Sequence, residues 1–475
     1  MTEVLIVGAG PTGLTLACVL ARSGVSVRVI EAAAGPQAGS RGKGIQPRTL
    51  EVFEDLGIVD RVLANGRLAM LIRSTGLDGS IQESGGEPRA KRPDTPYQSS
   101  LITPEWRTEE ALRLRLAELG GAVEFGTALT SFEQSDDGVS AVVVKDGAPE
   151  TVDARWLVGC DGGHSIVRKQ AGIAFVGETL DEMRMIVADV EVDGLDRDAW
   201  QMWRHAEGLL TLCPLPSTDL FQYQASIGPG QDPSLELTNL QATLVRRTGR
   251  TDIRLHEPQW VTLWRANIRL VERYRDGRVF LAGDAAHIHS PAGGQGMNTG
   301  IQDSYNLGWK LAAVAQGAAP ALLDSYEEER RPIAAGVLAL SNARLAQTAA
   351  DKGIPVRSDA QTQQLNLNYR GTALVWDDRA DSDRLRAGDR APDATGLVTP
   401  DGVRRLFELT GRGQFTLLNF GSPVQAGIRT LQVDPGSQVG DLYGAGDRTL
   451  VLIRPDGYIA AISDAGDLDA VLRHR

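Results

Sequence analysis

The first thirty-one residues constrain the fold more than any other stretch. Residues 4–7 are a short apolar run, "GAGPTG" follows, "LTLACVLARSG" reads as a helix, and "VSVRVIE" reads as a second strand. Strand, glycine turn, helix and strand make a βαβ unit, in which the helix is the crossover that a parallel pair requires. Gly8, Gly10 and Gly13 fit the spacing GxGxxG, with Pro11 and Thr12 inside it, and Glu31 ends the second strand about twenty residues on. Gly8 permits the tight turn, Gly10 lets backbone approach a diphosphate, and Gly13 lets helix and strand pack closely. The helix N-terminus then faces the phosphates, and Glu31 can accept both ribose hydroxyls of an adenosine. The same carboxylate repels a 2′-phosphate, so the dinucleotide expected here is FAD or NAD rather than NADP.

At 475 residues the chain predicts two or three domains. Its net charge of −12 and lack of a basic run argue against a nucleic-acid partner. The apolar runs are much shorter than a membrane span, and no basic segment precedes the first of them, so neither a membrane nor a signal peptide is expected. Cys18, Cys160 and Cys213 are the three cysteines, far apart and without a CxxC. That fits a reduced, cytoplasmic compartment and argues against a zinc ribbon.

Along the chain, 108–119 predicts an exposed amphipathic helix capped by Thr108, and 122–158 holds several β-like runs. Strands dominate again over 183–227, as a separate sheet inserted between nucleotide-binding pieces. A long helical stretch runs from about residue 300 to residue 351, a polar connector follows, and the last ninety or so residues predict a small α/β domain.

One segment, "LAGDAAHIHSPAGGQGMNTGIQD" at 281–303, has an aspartate after a glycine, two histidines, a proline and then four glycines within eight residues. His287 and His289 stand at i, i+2, share no helical face and have no third ligand nearby in sequence, so packing or hydrogen bonding outweighs a metal role. His164, in "DGGHS", is a similar temptation.

Three motifs together carry a family resemblance: "GAGPTG" near the start, "GCDGGHSIVRKQAGI" at 159–173, and "RVFLAGDAAHIHSPAGGQGMNTGIQDSYNLGWKLA" at 278–312. They resemble the three signatures of the group A flavoprotein aromatic hydroxylases, over residues 1 to about 345. The C-terminal part is similar to the thioredoxin-like domain of the phenol-hydroxylase and aromatic-polyketide-hydroxylase branch, here without any cysteine. The fold implied is α/β: a Rossmann-like FAD-binding domain (1–175 and 271–351), an inserted β-sheet substrate domain (176–270), a connector (352–384) and a thioredoxin-like domain (385–475). Without CxxC, thiol exchange is excluded from that last domain, and its expected job is structural.

The resemblance implies residue roles. Asp284 would bond ribityl hydroxyls of FAD, for which a carboxylate is the natural acceptor. Pro291, Gly294, Gln295, Gly296, Met297 and Asn298 match the turn that passes along the isoalloxazine. Gly293, Gly294 and Gly296 would remove side chains where backbone must approach a flat ring. Arg41 matches an arginine that contacts FAD, and Arg48 begins the following helix. Asp161, with Arg168 beside it, serves FAD and NADPH positioning in the family, although holding the turn after a strand explains Asp161 equally well. Relatives commonly carry glutamine where this chain has Glu105, whose carboxylate would repel the diphosphate.

The activity implied is FAD-dependent monooxygenation. NADPH or NADH reduces the flavin, O₂ adds at C4a, and the hydroperoxide hydroxylates an electron-rich aromatic ring. No side chain needs to act as nucleophile, and no general base is assigned. A fused-ring polyketide phenol is the favoured substrate; a simple phenol, or Baeyer–Villiger insertion, remains open. Met185, Trp203, Leu210, Cys213, Phe221 and Tyr223 are candidates for the substrate wall, and equally for the core of the inserted sheet. Monomer and homodimer both remain open.

Overall fold

The computed structural model describes residues 2–228, 230–289, 294–351, 362–380 and 384–475. Thr2–Val7 forms the middle of a parallel sheet, with Val27–Glu31 on one side and Ala148–Gly159 on the other. Val123–Phe125 and Val279–Leu281 extend it outward on either side, also in parallel. Val4, Leu5 and Ile6 are fully buried, as expected for a parallel strand covered on both faces. The Pro11–Arg22 helix returns across this sheet and buries Leu14, Leu16, Ala17 and Leu20 completely. It packs against the Gly296–Ala315 helix, where a Cβ at Gly308 would lie 2.6 Å from a Val19 methyl.

The helix predicted over 108–119 is instead Glu105–Glu118, with Pro104 at the N-cap. Proline pre-sets the backbone for a helix start, and Thr108 is fully buried one turn in, so it caps nothing. The helix is not an exposed one either. Thr108, Ala111, Leu112 and Leu116 pack toward the Pro11–Arg22 helix, and Glu109 is buried with them.

The second sheet has nine strands, running His287–Ile288, Trp260–Val271, Phe175–Asp193, Leu220–Ile227, Gly208–Pro214, Ala199–His205, Leu71–Thr75, Ile81–Ser84, with Arg254–Leu255 at the side. It is more than the 176–270 insertion. Leu71–Thr75 and Ile81–Ser84 come from the segment assigned above to the FAD-binding domain, and Leu71–Thr75 joins in parallel to Ala199–His205. The Leu237–Thr248 helix covers the back of this sheet through Leu240 and Leu244. The front faces the nucleotide-binding sheet, and a cavity lies between them.

The long helical stretch is two helices, Gly296–Ala315 and Ser325–Asp351, separated by the 3₁₀ turn Pro320–Asp324. Beyond them is a third, five-stranded sheet in the order Trp376–Asp377, Ile459–Ser463, Leu450–Ile453, Thr416–Asn419, Arg429–Gln432. Of the polar connector, residues 352–361 and 381–383 lie outside the described residues.

Candidate functional site

The glycine turn has the geometry its sequence predicts. Gly8 has φ +103°, and a Cβ there would lie 2.3 Å from the Cys160 carbonyl oxygen. A Cβ at Gly13 would lie 2.0 Å from the Gly8 carbonyl oxygen, whereas Gly10 meets nothing within 4 Å. Two glycines therefore close the turn and the third leaves open space. The Pro11–Arg22 helix starts with no side-chain cap and no acidic residue in its first turn. Its dipole end and free N–H groups open onto a cavity of about 1160 Å³, lined by Gly10, Pro11 and Thr12. Glu31 accepts from the Ala9 N–H at 3.0 Å and the Ala33 N–H at 2.9 Å. Those bonds use part of its lone-pair capacity and orient it beside the turn.

Asp284 stands in the 3₁₀ turn Gly283–Ala285, whose position is set from behind by Asp303. The Asp303 carboxylate accepts from the Gly283 N–H at 3.1 Å, from His287 Nε2 at 2.7 Å and from Arg330 Nε at 2.8 Å. Burial would raise this carboxyl, but His287 and Arg330 hold it below its usual range. His287 is thus a hydrogen-bonding residue, and His289 Nδ1 lies 3.5 Å from Ser341 Oγ. His164 is exposed.

Thr12 occupies the junction of three segments. A Cβ at Gly283 or at Gly300 would lie 2.5 or 2.6 Å from its Oγ1. The close-approach glycines of this region are therefore 283 and 300. Gly294 is needed for its φ of +61°, and a Cβ at Gly296 would make ordinary contact with His289 at 3.5 Å. Pro291 and Gly293 lie outside the described residues.

Several predicted site residues support the cavity from behind. Asn298 is fully buried. Its Oδ1 accepts from the Gln46 N–H at 2.8 Å, and its Nδ2 donates at 2.9 Å to the Gly44 and Gly294 carbonyls. Asp161 accepts with Oδ2 from the Ile166 and Val167 N–H groups, so it caps a short helix, while its Oδ1 is buried and accepts no hydrogen bond among the described residues. Arg168 donates to the Gly163 and Ala285 carbonyls and so ties that loop to the Asp284 turn.

Arg41, Glu105, Asp284, Gly294, Gln295, Gly296 and Met297 do line the cavity. Glu105 accepts from the Gly42 N–H at 2.5 Å. Burial pushes its carboxyl up to about 7; the Gly42 N–H and Arg41 oppose this, and Asp284 and Asp189 add to it. Asp284 opens into the cavity but is ringed by protein, which raises its carboxyl against the pull of His287 and Arg41.

The cavity wall is the opposite face of the second sheet from most of the residues expected to line it. Trp203, Leu210, Phe221 and Tyr223 point away from the cavity and form a core with Leu240 and Leu244. Their strands alternate, so a one-residue change of parity decides the face, and hydrophobicity alone does not. The cavity face is Trp200, Met202 and Arg204 on one strand, with Ile72 and Ser74 on the adjacent strand and Gln224 and Trp264 further across the sheet. Cys213 is fully buried behind Trp200 and Met202, and neither it nor Met185 is in the cavity wall. The signal that could have found the wall is the alternation of tryptophan, methionine and arginine in "AWQMWRH".

Residues 1–341 match the FAD-binding domain family, and residues 384–475 match the C-terminal domain of aromatic-ring hydroxylases. The chain belongs to the FAD-dependent aromatic-ring hydroxylases, and it is a flavin-dependent monooxygenase. It is 44% identical to a flavin-dependent monooxygenase of Mycobacteroides abscessus, over 98% of this chain and 97% of that one. It is 35% identical to 6-methylpretetramide 4-monooxygenase of Streptomyces rimosus, over 97% and 90% of the two chains. Its fold matches aklavinone-11 hydroxylase, solved with FAD and aklavinone, at a TM-score of 0.86 and 31% identity, over 100% and 98% of the chains.

Proposed function

We propose that the chain hydroxylates a phenolic, fused-ring aromatic substrate, using NADPH or NADH as reductant and O₂ as oxidant. One observation supports this most: a single cavity has the uncapped helix end and Asp284 on one side and an aromatic sheet face, Trp200 and Trp264, on the other. Bound FAD would supply the redox chemistry, with electrons from the nicotinamide and one oxygen atom of O₂ delivered to the ring, the other leaving as water.

The chain's residues bind and orient. The N–H groups at Thr12 and Gly13 hold the diphosphate, and Glu31 accepts from the adenosine ribose. Asp284 accepts from the ribityl hydroxyls, with Arg41 beside it as counter-charge. Burial raises the Glu105 carboxyl to about 7, which favours its neutral form. A neutral carboxyl can donate and accept as an amide does, which removes its conflict with the phosphates. The Gly296–Ala315 helix also begins without a side-chain cap, so its first N–H groups would favour negative charge on the cofactor. The sheet face excludes water and orients the substrate ring.

The test is turnover of the FAD-loaded protein with NADPH, an aromatic substrate and isotopically labelled O₂. Labelled oxygen in a hydroxylated product, with reduction faster when substrate is present, supports the reading. Hydrogen peroxide as the only oxygen product with every aromatic tried would overturn it.

A further inference from the structure

We propose that the cavity takes a fused-ring aromatic acid, and that Arg204 binds its anionic group at the end remote from the cofactor turn, as a specificity-determining residue. This rests on the oxygenase reading above and adds to it what the substrate must carry.

The strand Ala199–His205 supplies a ruler. Its alternation puts Trp200, Met202 and Arg204 on one face, and all three are in the cavity wall. Trp200 marks the cofactor end: Lys43, from the segment that follows Arg41, holds its Nζ 4.3 Å from the indole centroid. Arg204 lies four residues further along the strand, about 13 Å at roughly 3.3 Å per residue. Between them the wall is apolar, formed by Met202, Met70 and Ile72. A single phenol ring does not bridge that span, and a linearly fused polycycle does.

The far end carries the charge. Arg204 is half-buried, and its guanidinium makes no hydrogen bond or ion pair among the described residues. Of the carboxylates that residues 71–87 add to the same cavity wall, Glu83 pairs with Arg73 at 2.7 Å, Asp78 accepts from Ser80, and Glu87 is exposed. A planar fork of donors at the end of an apolar wall is suited to a carboxylate or an ionised enol, which it can hold through two parallel bonds.

The probes are a hydroxyanthraquinone carboxylic acid and its methyl ester, titrated calorimetrically into the FAD-loaded protein. The wild type should bind the acid more tightly than the ester. Arg204→Gln should weaken the acid roughly ten- to a hundredfold and leave the ester unchanged. Arg204→Lys should restore part of the loss, which separates charge recognition from a folding defect. Equal effects on acid and ester, or no effect on either, overturn the assignment to Arg204. A hydroxybenzoate bound as tightly as the anthraquinone acid overturns the span. These failures would leave oxygenation of the ester intact, whereas failure of the oxygenase reading would appear as peroxide alone with every aromatic.

Discussion

Glu329 and Glu105 are both helical glutamates enclosed by protein, and their surroundings drive them in opposite directions. Burial would raise the Glu329 carboxyl, yet Arg454 and Lys310, each 2.6 Å away, hold it far below its usual range. Arg454 also pairs with Asp456 at 2.6 Å, and Asp456 accepts from Asn306 and Trp309. Arg48, predicted as the start of a helix, is part of the same junction: it pairs with Glu51 at 2.8 Å and donates to the Asp456 carbonyl. These groups join the C-terminal sheet to the cofactor domain, and each charge faces an opposite one. In the cavity the carboxyls of Glu105 and Asp284 are pushed up, and Arg204 has no anion. A buried charge with its partner built in is structure; one without leaves that place to a ligand.

The largest expected effect breaks the paired region. Arg454→Met leaves Glu329 and Asp456 sharing Lys310, and removing one partner of a buried pair costs about 3–5 kcal/mol. The matched change Arg204→Met in the cavity should stay within about 0.5 kcal/mol, because no protein partner is orphaned. Urea unfolding of both variants checks this. Similar losses in the two would erase the distinction.

The cofactor half of that comparison was the more legible in sequence. Gly8, Gly10, Gly13 and Glu31 act through backbone conformation and local spacing, and a single chain segment displays both. The cavity face of the second sheet was not legible, because Trp203 and Trp200 differ only in parity, and the Leu237–Thr248 helix that settles the choice is remote in sequence. The interdomain ion network was hidden for a related reason: Arg48 and Asp456 are 408 residues apart, and each alone looks like a solvated surface charge. Asn298 was legible as part of the cofactor turn, but its role as a brace depends on Gly44 and Gln46, far away in the chain.

The next effect, in the cofactor half, is on affinity. Glu31→Lys replaces the ribose acceptor with a cation and should weaken FAD by roughly ten- to a hundredfold, since a hydrogen bond to a charged group contributes about 1.5–3 kcal/mol. Equilibrium dialysis against FAD measures it. Glu31→Gln, which keeps one acceptor, should lose less; an equal loss would assign the effect to the Ala9 and Ala33 bonds instead.

A smaller effect concerns Glu105. Its folded pKa, pushed up to about 7 by burial, lies above the ordinary glutamate value of 4.5. A raised carboxyl favours the folded state fully below the unfolded value, and that contribution is lost as pH rises through about 7. The ionised form also opposes the phosphates, so FAD should bind up to about tenfold less tightly at pH 8 than at pH 6. Glu105→Gln should make both the affinity and this part of the stability independent of pH over that window. A wild-type affinity flat from pH 6 to pH 8 would remove Glu105 from the site.

The smallest expected effect is none at all, and it bears on the C-terminal sheet. Its likeness to thioredoxin-like domains raises thiol chemistry as a function, but all three cysteines precede residue 214. Burial pushes Cys18 up to about 12 and raises Cys160 well above the usual thiol range, with Asp161 and Asp303 adding to the rise at Cys160. Cys213 is fully buried. The thiolate is the reactive form, so at neutral pH neither Cys18 nor Cys160 offers an appreciable fraction of it, even though Cys160 borders the cavity. Treating the folded, FAD-loaded protein with a thiol-blocking reagent should therefore leave the rate of flavin reduction by NADPH unchanged, and added dithiol should not raise turnover. A strong dithiol dependence would instead assign a redox role to Cys18, Cys160 or Cys213, since the C-terminal sheet has no cysteine.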